Sequence, residues 1–122
     1  MIALRQHEVP IAIDGDGVQL RKQTVGDLTV AFVRARQGID LRPALKGLPG
    51  DLCQCPHWGY MIKGTVRMHT TGGHEDYVAG QAFYWGPGHA PEVLEDAEYV
   101  DFSPTEAFDA VIRHLSGERA DA

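Results

Sequence analysis

The chain has 122 residues, of which 43% are hydrophobic and 23% charged, with a formal net charge of -6. That length supports one domain with a real core, and the composition excludes a disordered chain; no apolar run reaches the ~20 residues of a membrane helix. Basic residues scattered along an acidic chain exclude nucleic acid and anionic membrane as expected partners, because such binders neutralise phosphates with clustered Lys and Arg.

Residues 1–17 read as a mixed arm, with Pro10 and the turn-forming run Asp14-Gly15-Asp16-Gly17 ahead of the first clear strand. The arm lacks the basic start, long apolar run and small-residue cleavage site of a signal peptide, so the cytoplasm is the expected compartment. The only two cysteines are crowded together, which gives no secreted-type disulfide framework and fits a reducing compartment. Val18–Thr24 and Leu28–Arg36 follow as strands, the second with alternating β-branched and aromatic residues. Gln37–Asp51 contains two prolines and three glycines and is expected to be a long loop with one helical turn around Pro43 to Lys46. Cys53–Gly64 reads as strand. Thr65–Thr70 and His74–Val78 form a hairpin about Thr71-Gly72-Gly73, with His69 facing His74. Glu92–Leu94 and Glu98–Phe102 close the strand series, so the barrel strands span 18–102. Ser103 or Thr105 is placed to cap a helix over 103–115, whose Phe108, Val111, Ile112 and Leu115 recur at helical spacing, and 116–122 is a tail.

Chemistry concentrates in Cys53, Cys55 and His57. In an extended chain their i, i+2, i+4 spacing puts all three on one face. Thiolate and imidazole suit Zn²⁺ and other late first-row ions, not Mg²⁺ or Ca²⁺. Two further readings stand beside metal binding. One is inert thiols that fill a core. The other is a redox pair, although neighbouring Cα atoms about 6.6 Å apart would strain a disulfide.

Short strands separated by Gly and Pro turns, with one terminal helix, indicate a β-sandwich or barrel. Two stretches carry a resemblance. Asp51-x-Cys53-x₃-His57-x₆-Gly64 resembles the first cupin motif, G(X)₅HXH(X)₃,₄E(X)₆G, with Asp51 and Cys53 in the places of the histidines and His57 in that of the glutamate. Gly80-x₅-Gly86-Pro87-Gly88 resembles the second, G(X)₅PXG(X)₂H(X)₃N, with the proline moved by one position. The resemblance implies an all-β fold, the cupin-type double-stranded β-helix (jelly-roll barrel), with one C-terminal helix. It also implies a divalent metal in the barrel mouth. The second-motif histidine falls on Pro91, and His89, of the same strand parity, is the nearest imidazole. The implied metal set is therefore Cys53, Cys55, His57 and His89, most simply with Zn²⁺, although Fe²⁺ or Ni²⁺ occupies similar sites. Trp58, Tyr60, Met61, Phe83 and Trp85 supply candidates for an apolar pocket wall, of which alternation turns about half inward.

The expected function is that of a metal-binding cupin that acts on or binds a small organic molecule in the barrel, with no reaction assigned. Its rival is a non-catalytic module that senses a metal or small ligand, and a third reading leaves the pocket empty. The resemblance also implies a homodimer built on edge strands or arms.

Overall fold

Period-two alternation builds the strands. In β3 (Leu28–Ala35), Thr29, Ala31, Val33 and Ala35 are buried while Leu28 and Arg34 face outward; Val30, on the outward parity, is buried as well. The computed structural model describes residues 1–117, so the last part of the expected tail, 118–122, lies outside the described residues. Its other strands are β1 (Ile11–Gly15), β2 (Val18–Val25), β4 (His57–Thr70), β5 (Gly73–Val78), β6 (Ala82–Trp85) and β7 (Ala90–Pro104), followed by the helix α1 (Thr105–Leu115). Every pairing between these strands is antiparallel, in the order β1-β2-β3-β7-β4-β5, with β6 on β4.

β4 and β7 are long enough to serve both layers of the barrel. The first half of β4 pairs with β6 and with the second half of β7, which continues to β3. Beyond register shifts between Met61 and Val66, the second half of β4 pairs with β5 and with the first half of β7. Gly64 sits in this corner with φ +79°, and a methyl group there would overlap the Asp96 carbonyl of β7. Two expected pairs of short strands are thus single bent strands. Residues 53–56 are not strand: Cys53 makes one isolated bridge, to His89. Part of the expected arm is the edge strand β1.

The core falls into two clusters. Leu20, Ala31, Val33, Leu45, Cys53 and Cys55 pack with Phe108, Val111 and Ile112 of α1, so the apolar face of the helix closes one side of the barrel. Met61, Val66, Met68, Phe83, Trp85 and Val93 form the other cluster, and Tyr99 packs against both. The helix begins at Thr105 with Pro104 at its N-cap, so it has no side-chain cap, and the Ser103 hydroxyl is engaged inside the barrel. No helix among the described residues is long and apolar enough to cross a membrane.

Candidate metal centre

Cys53, His57 and His89 meet where the loop before β4 crosses the turn between β6 and β7. Backbone bonds fix the crossing: Cys53 N–H donates to His89 O at 2.8 Å, while Gly88 N–H (2.8 Å) and His89 N–H (3.2 Å) donate to Cys53 O. His57 opens β4 opposite Trp85. One ligand atom from each of the three residues lies within 4.8 Å of the others. Cys53 Sγ is 3.7 Å from His57 Nε2. A tetrahedral zinc with Zn–S of about 2.3 Å and Zn–N of about 2.0–2.1 Å sets sulfur and nitrogen about 3.6 Å apart, so the donor set fits such an ion.

Second partners settle which ring nitrogen is free. His89 Nδ1–H donates to the Gly86 carbonyl at 2.6 Å, which turns its Nε2 lone pair outward from that bond. Ser103 Oγ–H donates to Asp101 Oδ1 at 3.4 Å, so Ser103 Oγ accepts from His57 Nδ1–H at 2.6 Å and His57 Nε2 is left as the acceptor beside Cys53. A carboxylate, hydroxyl and imidazole chain of this kind is what orients a metal-binding histidine. Ser103 and Asp101 are not among the expected site residues. Their signal is polarity at the inward parity of β7, where Ala97 and Tyr99 are apolar neighbours.

Burial dominates the electrostatics. It pushes the Cys53 thiol up to about 11, with the contact to the Cys55 backbone offsetting part of this. The Cys55 thiol goes up to about 12, first from burial and then from Cys53. His57 is driven down to about 3 by burial and by His89, and burial lowers His89 as well. Burial raises Asp101 to about 7 against the Ser103 hydrogen bond. At neutral pH the imidazoles are therefore ready donors and the thiol still carries its proton, which an ion must displace. Zinc affinity is expected to rise about tenfold per pH unit between about pH 6.5 and 8.5, a slope of one proton. A chelator competition across that range reads it; a flat line would remove Cys53 as a ligand, and a slope of two would add Cys55.

Cys55 stands apart from the three. Its thiol donates to Pro56 O at 3.5 Å, since residues 53–56 are not extended strand and the i, i+2 parity does not hold. Of the candidate pocket residues, Met61, Phe83 and Trp85 are buried, with Phe83 and Trp85 stacked at 3.6 Å. Trp58 and Tyr60 lie on the outer face of β4. A cavity of about 70 Å³ adjoins the three ligands and is lined by Cys53, His57, His89, Trp85, Asp101 and Phe108 among others. A more open cavity of about 360 Å³, between the β4–β5 hairpin and the β6–β7 turn, shares Met68, Trp85 and His89 with it. Trp85 Nε1 is the one buried side-chain nitrogen or oxygen among the described residues without a hydrogen-bond partner.

No known protein-family profile and no curated protein sequence matches the chain. Solved structures do. KdgF from Halomonas sp. is 24% identical, with 82% of this chain and 90% of that one covered at a TM-score of 0.59. An RmlC-like cupin from Shewanella frigidimarina is 15% identical, over 83% of this chain and 88% of that one, at 0.60. Oxalate decarboxylase from Bacillus subtilis is 20% identical at 0.63; 83% of this chain is covered, but it spans 28% of that one. These likenesses show the fold, the cupin jelly roll.

Proposed function

We propose that this chain, folded as a cupin jelly roll, holds one divalent transition-metal ion on Cys53, His57 and His89 and binds or acts on a small organic molecule in the barrel. The observation that carries the reading is the convergence of three ligand atoms, with both imidazoles oriented by a second partner. Oxalate decarboxylase, a structural neighbour, has Mn(II) centres. A thiolate with two imidazoles favours the softer Zn²⁺ here, with Fe²⁺ or Ni²⁺ as alternatives. When bound, such an ion supplies Lewis-acid polarisation of a ligand oxygen. The chain's own part is to hold both imidazoles neutral, keep water scarce around them and offer Trp85 N–H to an oxygen acceptor. A buried N–H left unpaired costs about 1–3 kcal/mol, which a carbonyl or carboxylate reaching it would recover.

The closed surroundings favour a second reading, a non-catalytic module that senses a metal or small ligand. Cys53, His57 and His89 are only 4%, 7% and 3% exposed, and α1 closes the small cavity. Elemental analysis of untagged protein grown with added metals tests the shared premise. About one ion per chain is expected, and trace metal would leave Cys53 and Cys55 as buried thiols. Turnover of small acids, sugars or phenols by the loaded protein then separates enzyme from sensor.

A further inference from the structure

We infer that the outer face of the sheet formed by β6, β4, β7 and β3 is the contact surface for a second copy of this chain. Register places two cross-strand rows on that face, Tyr84, Trp58, Phe102 and Val30 in one and Ala82, Tyr60, Val100 and Phe32 in the next; at the β3 end Val30 is already buried and Phe32 half-buried, so the open part lies on β6, β4 and β7. None of the eight carries a charge. Tyr84, Trp58, Tyr60, Ile62 and Phe102 are 41% to 54% exposed, an unusual state for five large apolar side chains on adjacent strands. The Trp58 and Tyr84 rings already pack at 5.1 Å, so they lose little freedom on docking.

The area suits a partner of this size. A large side chain of this kind buries about 150–250 Å² when fully covered, so half-exposure of these five residues leaves about 500 Å² of largely apolar surface open. That lies toward the upper end of the largest patch of an ordinary monomer, about 300–600 Å², and a polar rim brings it to the ~800 Å² per partner of a standard interface. The bordering row carries both signs: Lys63 pairs in register with Glu98, and Glu98 with Arg34, whose Nε is 3.1 Å from the Glu98 carboxylate. A row of mixed sign can face its own copy about a two-fold axis without net repulsion, despite a chain charge of -6. Two identical twisted faces pack as aligned sheets about 10 Å apart. This surface uses no strand edge, unlike the edge or arm pairing expected from the resemblance.

The test reads mass and one fluorophore. Sedimentation equilibrium from about 1 to 500 μM is expected to return twice the 13.4 kDa chain mass, and Trp58→Glu and Tyr84→Glu should each return the monomer with unchanged circular dichroism. Trp85 is 3% exposed and there are only two tryptophans, so acrylamide quenching reports Trp58 in the unaltered protein. Quenching should weaken as concentration rises through the association range. A monomer at every concentration overturns the inference. So does a dimer in which Trp58 remains fully quenchable, or one that survives both substitutions, since each places the contact on another surface.

Discussion

His57→Ala is expected to weaken zinc binding by about a hundredfold or more while the barrel stays folded. Structural zinc sites with four ligands bind with about 10–16 kcal/mol, so one ligand is worth about 3 kcal/mol, or two orders of magnitude. Ser103→Ala keeps all three ligands but frees the His57 ring, and a loss of about 10–100-fold is expected of it. His69→Ala should leave metal unchanged, because His69 Nε2 bonds Glu92 at 2.8 Å, outside the cluster. If His57 were only a core histidine held by Ser103, its removal would instead lower stability by about 1–3 kcal/mol and leave metal content as it was. Metal stoichiometry and thermal midpoint measured on the three variants separate these outcomes, and unchanged metal in His57→Ala would sink the ligand assignment.

Gly64→Ala should be the most damaging single methyl group in the chain, at about 4 kcal/mol or more. Two penalties combine. A φ of +79° costs a residue with a Cβ about 1–2 kcal/mol, and the added carbon meets the Asp96 carbonyl, its carbonyl carbon and Ala97 Cα. Those atoms are backbone of β7 at the same corner, so no side-chain rotation relieves the overlap, and β4 and β7 would have to separate. Against a total stability of about 5–15 kcal/mol for a small domain, a loss of that size removes between about a quarter and most of the reserve. Gly26→Ala serves as the control. It also has positive φ, +61°, but nothing lies within 4 Å of its missing Cβ, so it should lose only the backbone part. Equal urea midpoints for the two variants would refute the corner argument.

Much of the fold is legible in the amino-acid order, for local reasons. Leu28–Arg36 alternates so regularly that only one residue at its end separates expectation from β3. The His69 and His74 pairing follows from a turn with two glycines, and the rings do lie 5.7 Å apart. Continuity is harder to see. A glycine at 64 punctuates the pattern in the same way whether it ends a strand or bends one, and only the partner strand decides. The same limit applies at the candidate centre. Cys53 and His57 are close in sequence, but His89 arrives through backbone bonds across the barrel, which spacing along one segment does not encode. The even spacing of Cys55 misleads because parity holds only in extended chain. Ser103 reads as a helix cap because a hydroxyl ahead of an apolar helix does that work in most settings; here a buried imidazole competes for it and wins at 2.6 Å.

The placement of β7 has a kinetic consequence. This strand follows every strand it joins, pairing Ser103 with Thr29 and Phe102 with Trp58, so both layers close only after long stretches of chain have been looped together. Loop closure of that kind is slow, and such topologies fold in milliseconds to seconds where local helical bundles take microseconds. Until β7 docks, β4 and β3 each lack a neighbour, and Ser103 and Asp101, which orient the His57 ring, are not in place beside it. Fixing the His57 ring for an ion is thus a late step in folding. A chain stalled before it offers Cys53 to solvent as an ordinary thiol, open to oxidation that the finished barrel prevents by burial.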